Sequence, residues 1–341
     1  MKRFLIMIIV LTMIFSICGC GRPDTVSLDS SAFGAGQTYA LAVGCEEPEN
    51  SSLYSALKEF AEEVHSASQG AITIDLYSDA ELGDASEMSE QVRAGNLDGV
   101  ILSSGSALPY CPQISVLKLP FLFRDYDEVE RVLESDAAEE ITAGFTENEM
   151  VPLSFFGGSL WQISNDLRPV DSPEDLTGMM LHTTDDELTL TVYERFGALP
   201  APLDPDELAS AIDNKVFHGN VGSLSDLRDY GLQLHQDYLS VLNIQYDARV
   251  LVFGEKTWDA LPRGVQEILS ECALEAGRNH RQQVIEAEDS FRQALSDSMK
   301  IIEPEIKPFQ EISDPIYDQY IAQNTWAEEL IDHIKKQIKD S

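Results

Sequence analysis

The chain has 341 residues, with 59 acidic against 23 basic side chains and a formal net charge of −36. A surface this negative excludes nucleic-acid binding and adhesion to anionic lipid. It also sets a mild field against anionic ligands, screened beyond about 8 Å in physiological salt.

Met1-Lys2-Arg3 precedes an apolar run from Phe4 to Ile17. The run has signal-peptide length and falls short of the roughly 18–20 residues that a spanning helix needs. It ends Ile17-Cys18-Gly19-Cys20, a sequence similar to a bacterial lipobox. Processing there leaves Cys20 as a lipidated first residue; the plainer alternative is a secretory signal with a chance cysteine. Several acyl chains hold a protein on a membrane far better than one does. The expected division is a signal over 1–19 and a flexible, Gly/Ser-rich tether over 20–37. No later segment is long and apolar enough to cross a membrane.

Thr38 to Gly44 reads as a buried strand. Ser51 or Ser52 then caps a helix through its hydroxyl, with Leu53, Leu57, Phe60, Ala61 and Val64 at three-to-four spacing. Gly70 closes the unit, and Ala71 to Tyr77 is the next strand. This βαβ opening favours a parallel sheet with a right-handed crossover. A helix carrying Met88, Val92 and Arg93 follows, then a turn at Gly95–Asp98 and an apolar strand from Val100. Asp127 to Leu133 starts another amphipathic helix, and near Gly157-Gly158 the chain crosses into a second lobe. Ser172-Pro173-Glu174-Asp175 has the cap, Pro and acids of a helix start. Asp206 to Ile212 reads as helix, Lys215 to Val221 as extended, and Tyr238 to Gly254 as apolar strands returning to the first lobe. Trp258, Leu261-Pro262 and Gln266 open a helix reaching about Ser298, roughly 45 Å long.

Beyond the signal and Cys20, three cysteines remain: Cys45, Cys111 and Cys272. None has metal-ligand spacing. The simplest reading is three small buried side chains, although an oxidising compartment also permits a Cys45–Cys111 disulfide. No GxSxG, HExxH or Walker sequence is present, so no enzyme activity, metal or cofactor is expected. Asp185-Asp186-Glu187 reads as a solvated face or a helix start, with a calcium site as the weaker alternative.

The segment from Asn165 to Asn220 carries more information. It contains Arg168-Pro169-Val170-Asp171-Ser172-Pro173-Glu174-Asp175-Leu176-Thr177-Gly178, then Gly197-Ala198-Leu199-Pro200-Ala201-Pro202-Leu203, then Val216-Phe217-His218-Gly219-Asn220. It resembles the solute receptors of tripartite ATP-independent (TRAP-type) transporters, which write this region as RPIxxPEDLKGLKIRV, GAxPTPM and GVVDGQEN. Leu117-Lys118-Leu119-Pro120-Phe121-Leu122-Phe123 resembles their LxLPFLF, and the likeness runs from Thr38 to about Ile338. The resemblance implies an α/β, two-lobed periplasmic-binding-protein-like fold with a ligand cleft and a long spanning helix. Lobe one is then 38–157 plus about 247–287, lobe two 158–246 plus about 288–314, and 315–341 a C-terminal helical segment. It implies capture of a small molecule by hinge closure outside the cytoplasm and delivery to small and large permease subunits. A sensory receptor of the same fold, feeding a membrane sensor, is the alternative.

The resemblance also marks departures. His182 stands where the family's Arg clamps a ligand carboxylate bidentately. Trp161 replaces a second basic residue and offers a flat apolar face with one donor. Gly222 replaces a ligand-contacting Asn, leaving Asn220 or His218 to supply the polar contact. The loop after the first strand offers Glu46 beside Cys45 and Glu47, and the loop after the Val100 strand offers Ser103 and Ser104. Two cations leave, while an indole and an imidazole arrive. The expected ligand is therefore not a simple dicarboxylate or sugar acid, but a neutral or zwitterionic small molecule, partly flat or hydroxylated.

Overall fold

In the computed structural model, which describes residues 37–339, the strands run β1 (Tyr39–Gly44), β2 (Ile72–Tyr77), β3 (Gly99–Ser103), β4 (Met150–Leu160), β5 (Gln162–Asn165), β6 (Met180–His182), β7 (Leu199–Ala201), β8 (Gly219–Gly222), β9 (Tyr238–Ser240), β10 (Tyr246–Gly254) and β11 (Lys300–Ile302). The expected signal, Cys20 and most of the tether lie outside the described residues. Five strands form one sheet in the order β2-β1-β3-β10-β4, and six form another in the order β11-β9-β5-β8-β6-β7.

In the first sheet β1 pairs in parallel with β2 and β3, while β10 runs antiparallel to β3 and β4. β10 lies in its interior, and its alternation is divided between two cores. Ala248, Val250 and Val252 face one core, with Leu251 and Phe253 in the other. Both faces are covered, so the strand reads as an apolar run rather than a polar–apolar alternation. The crossover from β1 to β2 is the helix Ser52–Ala67, capped by Ser51, whose Oγ accepts from the Tyr54 N–H at 3.1 Å. Ser51→Ala is expected to cost about 1 kcal/mol, read as a lower urea midpoint with an unchanged slope.

The chain crosses between the sheets at Trp161, the single residue separating β4 from β5, and again between β9 and β10. The two crossings bond to each other: the Trp161 N–H donates to the Gln245 carbonyl at 2.8 Å and the Ile244 N–H to the Trp161 carbonyl at 3.0 Å. A third connection is the helix Arg263–Leu295. Its Val265, Ile268, Leu269, Ala273 and Ala276 pack in the first lobe. Its Leu295 packs in the second, with Phe291 against the same cluster. Gly277 lets the helix lie directly on β4, since a Cβ there would come within 2.5 Å of the Phe155 carbonyl.

Several expected bounds shift. The spanning helix stops at Leu295 rather than near Ser298, because the chain turns there to bring Lys300–Ile302 beside β9. The expected extended stretch is strand only from Gly219, and that strand runs one residue further, to Gly222, after the helix Pro205–Asp213. Pro315 lies inside the helix Lys307–Gln323 rather than starting a separate segment. The last helix, Ala327–Lys339, returns to the first lobe's core through Ala327, Leu330, Ile331 and Ile334. Cys45 and Cys111 are not joined: both are free and buried, in different cores. Burial pushes the Cys45 thiol up to about 12, as befits an inert packing residue.

Candidate functional site

A cavity of about 280 Å³ opens between the two sheets. It lies beyond the carboxyl ends of β1, β6 and β8, where open α/β sheets place ligands. The first lobe contributes Glu47, Ser51 and Ser52 after β1, Gly157–Ser159 of β4, and Asp247 and Arg249 of β10. The second contributes His182 and Thr184 at the end of β6, Asn220 to Ser223 at β8, and Asp226, Arg228, Asp229 and Tyr230. Trp161 lines the cavity from the crossing, and His280 and Val284 from the spanning helix.

Four of the residues singled out from sequence meet here: His182, Trp161, Asn220 and Gly222. The His182 ring is engaged on both sides, with Nδ1 2.7 Å from Asn220 Oδ1 and Nε2 3.0 Å from the Leu203 carbonyl. Neither nitrogen is left over for a bidentate grip on a carboxylate. Trp161 is 5% exposed and has the Lys118 ammonium 4.8 Å from its ring centroid. Gly222 gives up its side-chain space to its neighbours: a Cβ there would lie 2.8 Å from Asp226 Oδ2 and 3.0 Å from Asn220 Nδ2. Asp226 is held at that spot because it closes a capping box with Ser223 at the start of the helix Leu224–Asp229.

The other four candidates lie off the cavity wall and brace the fold. His218 Nδ1 accepts from the Met180 N–H at 2.9 Å, and Glu46 Oε1 from the Ala85 N–H at 2.9 Å. Ser103 Oγ accepts from the Ser106 N–H at 3.0 Å as a helix cap. Ser104 is fully buried, its Oγ accepting from the Ala248 N–H at 2.9 Å. In each case a nearby backbone donor bonds one polar atom of the side chain.

Apart from Glu47, named with the first loop, sequence reasoning missed the charged residues of the cleft. Arg249 donates from Nη1 to Asp247 Oδ2 at 2.5 Å and to the Ala248 carbonyl at 3.3 Å, and its Nε lies 3.8 Å from Glu47. Burial opposes its charge, but Asp247, Glu47 and Asp226 outweigh burial and raise its pKa. Burial raises the Asp226 carboxyl, and Asp247 acts in the same direction. Burial, aided by Arg249 and Arg281, pushes His280 down to about 4, leaving a neutral ring whose Nδ1 accepts from the Gly157 N–H at 3.0 Å. A signal for part of this was present: Asp247 and Arg249 stand two apart in an apolar strand, and so share one face. Among the lining residues Glu47, Asp226, Asp229 and Asp247 face Arg228 and Arg249, an excess of acid over base.

Two α/β lobes around a cavity, joined by crossing strands and a long helix, form the frame of a solute receptor. The chain belongs to bacterial extracellular solute-binding protein family 7, whose family model matches residues 43–324. It is similar to a solute-binding protein of Chromohalobacter salexigens, 26% identical over 282 residues, covering 82% of this chain and 84% of that one. It is also similar to the sialic acid-binding periplasmic protein SiaP of Vibrio cholerae, 24% identical over 294 residues, or 85% and 91% of the two chains. Among solved structures, a TRAP periplasmic solute-binding protein of Chromohalobacter salexigens with bound D-glucuronate superposes with a TM-score of 0.80 at 25% identity, covering 87% and 99%. One from Ochrobactrum anthropi reaches 0.83 at 18% identity, covering 89% and 95%, which is a likeness of fold. TRAP receptors of this kind act outside the cytoplasm, bind small molecules and work with membrane permease subunits.

Proposed function

We propose that this receptor takes a neutral or zwitterionic small molecule into the cleft, closes by hinge motion and passes it to its permease, while a lipid on Cys20 holds it at the membrane. The observation that carries the ligand class is the His182 ring, bound on both sides within the protein, at the position where the resemblance implies an Arg. The acid-rich lining supports the same reading. A buried carboxylate left without its cation loses several kcal/mol, and Arg249 is already shared between Asp247 and Glu47. The relatives' sialic acid and D-glucuronate are acids; they belong to clefts with their own side chains. Native mass spectrometry of the purified protein is expected to show a co-purifying molecule without net negative charge. Adding that molecule at a hundredfold over its dissociation constant should stabilise the fold by about 2.7 kcal/mol. A dicarboxylate or sugar acid as the bound species would overturn the assignment.

A further inference from the structure

Lys118 is 1% exposed, a rare state for lysine. It ends the 3-10 turn Pro112–Lys118, whose Ile114, Val116 and Leu117 belong to a first-lobe core. Its Nζ lies 2.5 Å from Asp186 Oδ2 and 3.5 Å from Thr184 Oγ1, both just beyond β6 in the second lobe. The same ammonium sits 4.8 Å from the ring centroid of Trp161, the crossing residue. Its carbonyl accepts from Gln245 Nε2 at 2.7 Å, beside the other crossing. Thr184 donates to Asp186 at 2.7 Å, and the remaining Asp186 oxygen accepts from the Thr189 N–H to cap the helix Glu187–Arg195.

Trp161 and Thr184 line the cavity; Lys118 and Asp186 stand behind them. One cation thus touches the first lobe, the crossing and the second lobe at the back of the cleft wall. Packed apolar side chains would fill such a place without the desolvation cost that an ion pair carries, so the pair adds little net stability. What it adds is geometry: a directed ammonium that faces a ring and bonds a carboxylate.

We propose that Lys118 is a positioning residue of the binding site. It fixes the Trp161 indole and the Thr184 hydroxyl in one arrangement across the lobes, so that the wall is preformed for a flat or ring-shaped ligand. This rests on the cleft being the binding site.

The test uses a form with Trp161 as its single tryptophan, made by Trp258→Phe and Trp326→Phe. Lys118→Met/Asp186→Asn removes both charges together, and Asn still serves as a helix cap. The expected result is a red-shifted Trp161 emission and stronger quenching by acrylamide, with parent-like far-UV circular dichroism. Lys118→Arg, which keeps the cation, should restore the parent spectrum. A folded double variant with parent emission and quenching would overturn the proposal. Amide exchange on the unsubstituted protein gives a second reading that needs no variant. Trp161 and residues 183–187 should open as one unit, and independent opening would count against the coupling. Both readouts are taken without ligand, so a wrong ligand class leaves this test intact.

Discussion

Arg281→Met is expected to destabilise the protein by about 3 kcal/mol. Arg281 lies on the spanning helix and is 4% exposed. Its guanidinium makes a fork to Glu130, at 2.6 and 3.1 Å, pairs with Glu134, and donates from Nη1 to the Phe155 carbonyl at 2.6 Å. Methionine keeps most of the volume and none of the donors, so a buried carbonyl loses its partner and two carboxylates lose their shared cation. The carboxylate side chains are 29% and 35% exposed, and Glu134 keeps Arg278; water and that second cation hold the cost below that of a wholly buried broken pair. At about 2 °C per kcal/mol for a chain of this size, the melting temperature should fall by roughly 6 °C. Lysine keeps the charge without the fork and should recover only part of the loss. A change under about 1 kcal/mol, the value of a surface pair, would contradict this account of Arg281. The same contacts bolt the first-lobe half of the helix to its lobe.

Glu288, two turns further along, is expected to set part of the pH dependence. It is 4% exposed; Oε2 accepts from the Tyr126 hydroxyl, while Oε1 is buried without a hydrogen-bond partner. The Tyr126 oxygen in turn accepts from the Leu160 N–H at 3.1 Å, one residue before the crossing. Burial pushes the Glu288 carboxyl up to about 7, with Asp226 acting in the same direction. A carboxyl raised in the folded state keeps its proton after the unfolded chain has lost it. The stability it carries is therefore fully present below about pH 4.5, falls as pH rises towards 7, and stays lost above, a change of about 3 kcal/mol at the limit. His280 works in the opposite sense. Its ring is held neutral down to about 4, so its share of stability is present above about pH 6.5 and is lost as pH falls. Glu288→Gln keeps an acceptor for Tyr126 and cannot ionise. Urea unfolding should show the variant more stable than the parent at pH 8 and close to it at pH 5. An equal difference at both values would remove Glu288 from this role.

The frame was legible because its signals are local. Ser51 as a cap, the three-to-four spacing of Leu53, Leu57, Phe60 and Val64, and the long apolar periodicity from Val265 to Leu295 each need only neighbouring residues to be read. The family motifs placed His182, Trp161, Asn220 and Gly222 on the cavity wall for the same reason, since each sits at a strand end or crossing that the motif marks. Glu46, Ser103 and Ser104 were chosen by loop position and His218 by the motif, and one polar atom of each went to a backbone donor whose approach depends on tertiary packing. Arg249, Asp226 and Lys118 were hidden by long-range pairing. Arg249 reads as the neighbour of Asp247 in an apolar strand until Glu47, some two hundred residues earlier, is brought beside it. Asp226 reads as a helix-start acid until Gly222 makes room for its carboxylate at the cleft. Lys118 reads as an ordinary lysine in a motif until Trp161 and Asp186 close around it.

Isothermal titration of the purified, ligand-free protein at pH 7.5 with succinate, D-glucuronate and sialic acid tests the central claim most directly. A cleft whose His182 is bound on both sides and whose Arg249 is shared between two carboxylates predicts no binding tighter than millimolar, about −4 kcal/mol. Sub-micromolar binding of any of the three would show that a carboxylate clamp survives in this cleft, and would contradict the account.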